Sequence, residues 1–285
     1  SEDFKPVVNA CTLCDMCYMT KCPYVPPHEF NLDFPHLMLR YRAIQFQNGD
    51  IPFVNKELTK TDRNGKNFGK IASIVNWGSN RENLISRKIL ETTCDVHRDA
   101  SLPEFQKETF VKKQKNAPPT INTQAPAYGR KAVIYATCFV NYNNPSIGFA
   151  AQAVLNLNGV TTEVVYPSCC GMPQLEQGNI QEVARSAEKV AKELRSWVDD
   201  GNDIIALTPS CALMLKFEWP LILPENEDVR ALSGATFDID EYVVAIAKKE
   251  GLADGLKSLD GGVTLHHACH SRAQNLSLIH ISEPT

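Results

Sequence analysis

The chain has 285 residues, of which 43% are hydrophobic and 22% charged, values that are ordinary for a globular protein of one large domain or two smaller ones. Its net charge is −4 and its lysines and arginines are spread along the chain, so we expect no nucleic-acid partner. The sequence contains no apolar run near the ~18 residues needed to span a bilayer and no signal-peptide core at its start. We therefore expect a cytoplasmic protein, at most peripheral to the inner face of the cytoplasmic membrane or held there by a partner.

Cysteine is the unusual component, with ten residues in a chain that shows no secretory signal. Disulfide frameworks belong mainly to short secreted domains, whereas clustered cysteines in a reducing compartment are more often metal ligands. The composition therefore favours metal binding, with disulfides as the alternative.

The first motif is a tight run of cysteines, Cys11, Cys14, Cys17 and Cys22, followed by Pro23. It is close to the bacterial ferredoxin run C-x2-C-x2-C-x3-C-P, in which three thiolates wrap one corner of an iron–sulfur cube. The fourth cysteine of such a run ligates the other cluster of a two-cluster protein. A zinc site is the alternative, although structural zinc usually takes two separated pairs of ligands.

Residues 1–98 are accordingly expected to form a partial ferredoxin-type 4Fe-4S domain. Residues 99–129 are rich in Pro, Asn, Thr, Gln and Lys and show no sustained apolar period, so they are predicted to be a linker. Cys94, near the end of the first region, stands apart from the other cysteines and is expected to be structural.

From Lys131 onward, apolar runs alternate with helical patterns, which predicts an α/β fold with a parallel sheet covered by helices on both faces. Asn179 is a candidate cap, and Gly201 a candidate end, for the clearest helix. The predicted strands are 132–137, 162–166, 203–208 and 263–268, and the predicted helices are 146–157 and 179–200.

Cysteines follow three of these strands: Cys138 after the first, Cys169-Cys170-Gly171 after the second and Cys211 after the third. Open α/β sheets build their sites beyond the carboxyl ends of the strands. We therefore expect these cysteines to converge in one crevice as a metal or redox site. For Cys138 alone, a buried cysteine acting as a small hydrophobe is the simpler interpretation.

Cys269 ends the fourth predicted strand as Cys138 ends the first. It lies among His266, His267 and His270, which we expect to orient a loop or cap a helix rather than bind a ligand.

These motifs together resemble a family that includes the C subunit of anaerobic glycerol-3-phosphate dehydrogenase, lactate-utilisation iron–sulfur proteins and the B subunit of heterodisulfide reductase. Residues 11–40 are similar to the family's second ferredoxin-type run, and the Cys138, Cys169-Cys170-Gly171 and Cys211 segments to its first Cys-Cys-Gly module. Residues 265–275 look like the opening of the second module.

The complete family pattern has two ferredoxin-type runs and two Cys-Cys-Gly modules, so the resemblance implies a fragment truncated at both ends. It divides the α/β part into a first module at 130–262 and the start of a second at 263–276. Position 214 is Met214, where the fuller motif has a cysteine. Residues 277–285 fit neither the family nor the strand–helix pattern and are expected to be a non-native tail.

The resemblance implies an iron–sulfur electron-transfer subunit of anaerobic respiration. A partner flavoprotein dehydrogenase would oxidise glycerol 3-phosphate or a 2-hydroxy acid, and a quinone or another carrier would accept the electrons. The chain has no G-x-G-x-x-G flavin fingerprint after a strand, so no catalytic residue is assigned and substrate chemistry is expected on the partner.

The resemblance also assigns ligands. Cys11, Cys14 and Cys17 would hold a 4Fe-4S cluster, with Cys22 directed to the cluster of the missing run. The remaining cofactor-binding cysteines would hold a further cluster or form a thiol redox centre; they are Cys138, Cys169, Cys170, Cys211 and Cys269. The alternatives are a thiol–disulfide reductase subunit and a zinc-stabilised structural module.

Overall fold

A computed structural model describes residues 2–15, 17, 22–116, 120–255, 257, 260–262, 264–274 and 276. The predicted non-native tail, 277–285, lies outside these residues. Within them, no helix is both long enough and apolar enough to cross a membrane.

The first part of the chain is helical. Asp33 begins its longest helix by accepting a hydrogen bond from the His36 amide, and Pro35 lies in the first turn, where its missing N–H costs nothing. The helices are α1 (Lys5–Ala10), α2 (Phe34–Gln47), α3 (Phe53–Leu58), α4 (Thr61–Lys70), α5 (Ala72–Ser79), α6 (Leu84–Cys94) and α7 (Phe110–Gln114).

The second part alternates strands and helices. Its strands are β1 (Lys131–Tyr135), β2 (Thr161–Val165), β3 (Asp203–Ala206) and β4 (Thr236–Asp238). Its helices are α8 (Cys138–Tyr142), α9 (Pro145–Leu157), α10 (Met172–Glu176), α11 (Ile180–Asp199), α12 (Pro209–Leu213), α13 (Trp219–Ile222), α14 (Glu227–Ala235), α15 (Ile239–Lys249) and α16 (Cys269–Ala273).

The four strands form one sheet in the order β2-β1-β3-β4, and every neighbouring pair is parallel. The predicted α/β fold with a parallel sheet is thus confirmed. The chain moves from β1 outward to β2 and then crosses back to β3 on the other side of β1. The boundary between β1 and β3 is therefore the switch point of the sheet.

Side chains alternate along β1 between two cores, one on each face of the sheet. Val133 and Tyr135 pack against α11 and α14, whereas Ala132 and Ile134 pack against α9 and α15. Burial on both faces explains why the central strands β1 and β3 contain continuous apolar runs, whereas the burial of the edge strand β2 alternates.

The predicted fourth strand is wrong. Residues 264–268 have no regular secondary structure, and the fourth position in the sheet is taken by Thr236–Asp238. That strand has only three residues and follows α14 directly, so it is too short to show a period of its own. The predicted linker 99–129 also contains the short helix α7, capped by Thr109.

The predicted caps of the longest helix agree with the structure. The Asn179 side chain accepts a hydrogen bond from the Glu182 amide at the start of α11, and Gly201 follows its end with φ +77°. Glycine reaches this left-handed conformation at little cost, which lets the chain turn into β3.

The helical part is held against the α/β part by Arg42 on α2. Its guanidinium donates to the carbonyl oxygens of Val8 at 2.8 Å, Cys11 at 2.5 Å and Glu176 at 3.1 Å. These carbonyls belong to the ends of α1 and α10, whose last C=O groups lack helical partners. One side chain therefore joins the first cysteine segment to the second cysteine region.

Gly178 permits this contact. It has φ +80°, and a Cβ atom there would lie 2.4 Å from the backbone carbon and oxygen of Arg42. Gly178→Ala should therefore lower the free energy of unfolding by about 2 kcal/mol or more, since it adds a backbone clash to an unfavourable φ. Urea unfolding followed by circular dichroism measures this.

Gly234→Ala is the matched control, because Gly234 lies in α14 with no atom within 4 Å of the added Cβ. It should be neutral or stabilise by up to about 1 kcal/mol. Equal effects of the two substitutions would contradict the close contact between Gly178 and Arg42.

Candidate functional site: a crevice of cysteines at the switch point

The site lies at the carboxyl ends of β1 and β3. Cys138 is the first residue of α8, just after the end of β1, and Cys211 lies in α12 after β3. The hydroxyls of Thr137 and Thr208 are 3.0 Å apart and join the two strand ends. Because the two crossovers leave this point in opposite directions, a crevice opens between them.

The loop after β2 brings Cys169 and Cys170 into the same crevice. Gly171 follows them with φ +86° and begins α10, a conformation that favours glycine. An added Cβ at this position would lie 3.4 Å from the Val183 Cα, so the loop packs at van der Waals distance from α11.

The four sulfur atoms form two close pairs. The Sγ atoms of Cys138 and Cys169 are 3.7 Å apart, and those of Cys170 and Cys211 are 3.3 Å apart. Cys169, Cys170 and Cys211 are at most 5% exposed, and Cys138 is half-buried. All ten cysteines of the chain are described, and none is in a disulfide.

Four thiols are a donor set that an iron–sulfur group uses, and a tetrahedral zinc ion uses the same set. Two thiolates on one tetrahedral metal with bonds of about 2.3 Å lie about 3.8 Å apart, which the first pair nearly matches. The second pair would have to open by a few tenths of an ångström. Among the described residues no three His, Cys, Asp or Glu side chains already surround a single metal ion, so the arrangement is two pairs of sulfurs and not a closed cage.

The thiols of Cys138, Cys169 and Cys170 are not electrostatically equivalent. Hydrogen bonds with Cys138 and Cys170 lower the pKa of Cys169, which lies between them. The same hydrogen bonds, together with burial, raise the pKa of Cys138 and of Cys170. Cys169 is thus the preferred thiolate of the set, and any metal must displace protons from its neighbours.

Helix α4 covers this loop and supplies its hydrogen-bond partners. Asp62 Oδ2 accepts from the Cys169 amide at 2.9 Å, and Asp62 Oδ1 accepts from the Tyr166 hydroxyl. The Thr61 hydroxyl is buried beside the sulfurs of Cys138 and Cys169, and no described residue lies within hydrogen-bond geometry of it. An unpaired donor beside two sulfurs is what a charged cluster or thiolate would use.

Two aromatic residues fix the loop from within the core. The Trp219 indole N–H donates to the Cys170 carbonyl at 3.0 Å, and the Tyr135 hydroxyl donates to the Ser168 carbonyl at 2.6 Å. Both side chains are fully buried, so these hydrogen bonds exclude water from the inner side of the site.

The first cysteine run also has a distinctive backbone. Leu13 and Asp15, the residues on either side of Cys14, have positive φ values of 52° and 57°. Non-glycine residues rarely adopt this left-handed conformation. Where left-handed residues alternate with right-handed ones, successive N–H groups point into a concave anion-binding nest of the kind found at iron–sulfur sites. Buried Leu13 anchors the loop in the core.

The thiols of this run lie nearer the surface. Cys11, Cys14 and Cys22 are half-buried and Cys17 is exposed, whereas residues 16 and 18–21 lie outside the described part. Four residues separate Cys17 from Cys22, one more than in the bacterial ferredoxin run, so only the first three cysteines match its spacing.

Both cysteine regions share one hydrophobic core. Cys11 packs against the cluster that contains Leu13, Cys169, Cys170 and Cys211. A small cavity of about 20 Å³ lies between the two regions, bounded by Leu13 and Asp15 on one side and Met172 and Leu213 on the other. Among the described residues, the two regions are therefore neighbours within one core.

An ionic cluster closes one end of this interface. His36 Nδ1 lies 2.7 Å from Asp33 Oδ2 and its Nε2 lies 3.2 Å from Glu218 Oε2. These hydrogen bonds outweigh burial and raise the pKa of His36 to about 10, so the imidazole is charged at neutral pH. Burial, reinforced by Glu218, raises the pKa of nearby Asp15 to about 6.

The remaining predicted residues lie outside the crevice. Cys269 is exposed at the start of α16, which packs on α12, and no contact joins its sulfur to another sulfur within the described residues. His270 Nδ1 is 2.8 Å from the Ser210 hydroxyl, which agrees with a loop-orienting role. Met214 is fully buried at the start of a π-helical stretch, Met214–Glu218, and Cys94 is the last residue of α6.

Sequence reasoning missed the residues that hold the cysteines in place: Arg42, Thr61, Asp62, Tyr135, Trp219 and the Asp33–His36–Glu218 cluster. Most of them act on residues more than 30 positions away, and no local motif marks them. Arg42 and Asp62 are charged residues in helices, and nothing in the sequence separates them from solvated surface charges.

Comparison with known proteins places the crevice in a recognised class. Residues 132–216 match the family profile described as a cysteine-rich domain, CCG, a range that runs from β1 through Cys211. This segment is therefore similar to cysteine-rich domains of the CCG type.

The chain as a whole is similar to several curated proteins. It is 26% identical over 228 residues to the C subunit of the anaerobic glycerol-3-phosphate dehydrogenase of Escherichia coli K12, covering 79% of this chain and 55% of that protein. It is 29% identical over 147 residues to the lactate utilization protein A of Bacillus pumilus, covering 49% of this chain and 58% of the relative.

A third relative is an uncharacterised iron–sulfur protein of Methanococcus maripaludis, 29% identical over 145 residues, with 50% of this chain and 26% of that protein covered. The resemblance inferred from the motifs is thus confirmed. The chain spans about half the length of the first two relatives, and no solved structure matches it.

The His36 cluster gives a pH-dependent prediction. Folding raises the pKa of His36 from 6.5 to about 10, so the folded state binds this proton more tightly than the unfolded state. The stabilisation is complete below about pH 6.5 and is lost as the pH rises towards 10. His36→Gln should therefore lower the free energy of unfolding by about 1–2 kcal/mol at pH 6 and by much less at pH 10.

Urea unfolding of the wild type and the variant across this pH range measures the difference. His97→Gln is the control, since His97 is exposed and its ring contacts exposed Asp99, whose amide lies at 3.2 Å and whose carboxylate lies at 3.8 Å. A destabilisation by His36→Gln that stays constant from pH 6 to pH 10 would show that the charged imidazole is not the stabilising species.

Proposed function

We propose that this chain is an iron–sulfur electron-transfer subunit of a multi-subunit oxidoreductase. The observation that carries the proposal is the gathering of four thiols, as two pairs, at the switch point of the sheet. The cysteine run at 11–22 packs against the same core, which supports a chain with two redox sites in one continuous unit.

The first site is a 4Fe-4S cluster held by Cys11, Cys14 and Cys17, with Cys22 as a further ligand of this or a neighbouring cluster. The positive-φ nest around Cys14 supports it, because its N–H groups would face the sulfides. The Arg42 guanidinium fixes the Cys11 carbonyl and so holds the loop in the shape that the cluster needs.

The second site is an iron–sulfur group held by Cys138, Cys169, Cys170 and Cys211. When bound, such a group accepts and donates single electrons. The protein excludes water from it through Tyr135 and Trp219, and provides the Thr61 hydroxyl as a donor to its sulfurs. Cys269 joins this site only if α16 moves, since its sulfur lies outside the crevice.

The two sites differ in solvent exposure, which supports a direction for electron flow. Reduction potentials of iron–sulfur clusters depend on exposure and on hydrogen bonds to sulfur. The half-exposed first run would exchange electrons with a partner at the surface, and the buried crevice would be reached through the core that both sites share.

The relatives suggest the partners. Two of them are named for the anaerobic oxidation of glycerol 3-phosphate and for lactate utilisation. We assign to this chain a flavoprotein dehydrogenase as electron donor, a quinone or another carrier as acceptor, and a place in the cytoplasm, at the membrane only through peripheral contact.

A thiol–disulfide reductase is the second candidate, and the sulfur–sulfur contacts favour it. Cys170 and Cys211 are near enough to form a disulfide after a small shift, and Cys169 has the lowered pKa of a nucleophilic thiol. In this mechanism, two thiols of the crevice become a disulfide and pass two electrons and two protons to an external disulfide.

The deciding experiment is the iron, sulfide and zinc content of protein purified without oxygen. We expect iron and acid-labile sulfide in near-equal amounts, about four or more of each per chain. Cys14→Ser should lower the iron and sulfide content and remove one electron paramagnetic resonance signal of the reduced protein. Cys170→Ser should also lower the iron and sulfide content, but should remove a different signal. Cys94→Ser is the matched control and should leave the iron content, the sulfide content and the resonance signals unchanged.

Zinc without sulfide would overturn the electron-transfer proposal in favour of a structural metal module. Iron that Cys14→Ser removes but Cys170→Ser does not would leave a single cluster and favour thiol–disulfide chemistry in the crevice.

A further inference from the structure

A second cavity, of about 480 Å³, lies on the outer side of the Asp62–Tyr166 hydrogen bond, away from the sulfurs. Helix α4, the chain around Gln106–Val111 and the end of α8 form its walls. Its volume falls within the range of small-molecule sites. None of the cysteines lines it, so it is distinct from the crevice.

One stripe of α4 forms a wall of this cavity. Asp62, Gly65, Lys66, Gly69 and Lys70 all line it, at the three- and four-residue spacing that puts side chains on one helical face. A Cβ on Gly65 would lie 2.4 Å from the Tyr142 ring, and one on Gly69 would lie 3.0 Å from the Gln106 carbonyl. The two glycines therefore let α4 approach both neighbours closely, and the lysine that follows each of them stands at the cavity.

The charges lining the cavity are unbalanced. Lys66, Lys70 and Lys107 are exposed, and none of them forms an ion pair with any described residue. The single carboxylate in the wall, Asp62, already accepts hydrogen bonds from the Tyr166 hydroxyl and the Cys169 amide.

Three other cations in this part of the chain are paired with carboxylates. Lys60 and Arg63 pair with Glu57, and Lys112 pairs with Glu108. Three positive charges without an ion pair to a described residue therefore line one concavity. A solvated lysine face would be convex, whereas these lysines surround a concave space.

We infer that this cavity binds a small, multiply charged anion whose negative groups are carboxylates or phosphates. Lysine ammonium groups recognise both as point charges, and Asn141 and Thr109 supply polar groups between them. The site does not depend on the proposed electron-transfer function. It lies one side chain from the cysteine loop, because Asp62 contacts both Tyr166 in the cavity wall and the Cys169 amide.

Isothermal titration calorimetry of the full chain with citrate and, separately, with pyrophosphate tests the inference at a fixed ionic strength of about 0.15 M, where long-range attraction is screened. We expect one saturable site with a dissociation constant below about 1 mM for at least one of the two probes. The preferred probe tells whether carboxylates or phosphates are the natural groups.

The double variant Lys66→Gln/Lys70→Gln should weaken that binding by about tenfold or more, since it removes two of the three ammonium groups that would pair with the anion. Lys88→Gln/Lys192→Gln is the matched control. It removes two exposed lysines on α6 and α11, away from the cavity, and changes the net charge equally. It should leave the affinity unchanged.

A lysine footprint locates the ligand independently. The bound anion should slow acetylation of Lys66, Lys70 and Lys107, measured by mass spectrometry, and leave Lys88 and Lys192 unaffected. Absence of saturable binding for both probes, or equal weakening in the two double variants, would overturn the inference. Neither result bears on the iron and sulfide content, so failure here is separate from failure of the proposed function.

Discussion

The neighbouring position of β1 and β3 is the constraint on which the rest of the structure depends. Because β2 lies on one side of β1 and β3 on the other, the chain leaves the two central strands in opposite directions. The resulting crevice receives Cys138 and Cys211 directly from the strand ends, and the loop after β2 reaches it with Cys169 and Cys170. The hydrogen bond between Thr137 and Thr208 keeps the two strand ends together at the point where the sulfurs meet.

The helical first part completes this crevice. Arg42 joins the carbonyl ends of two short helices from the two parts, and Gly178 allows the backbones to come that close. Helix α4 then covers the cysteine loop with Thr61 and Asp62. A site for a redox group needs both features, since thiolates must be gathered at low solvent exposure while their loop amides and carbonyls remain hydrogen-bonded.

Asp62 links the two concave regions of the molecule. One of its oxygens serves the cysteine loop and the other serves Tyr166, in the wall of the lysine-lined cavity. A single carboxylate thereby separates a buried, sulfur-rich site from a cationic, solvent-accessible one. Helix α4 therefore contacts both the cysteine loop and the lysine-lined cavity, and both carboxylate oxygens of Asp62 accept hydrogen bonds.

The sequence by itself determined the elements that depend on local pattern. Apolar runs and periodicity located β1, β2, β3 and α11, the caps Asn179 and Gly201 were readable, and cysteines after successive parallel strands predicted convergence. Only the tertiary structure decided the rest. The short strand Thr236–Asp238 displaced the predicted 263–268 because pairing with β3, and not its own sequence period, makes it a strand. The contacts of Arg42, Asp62, Trp219 and His36 join residues distant in the chain, and the free energy of burying such groups depends on partners that no local pattern specifies.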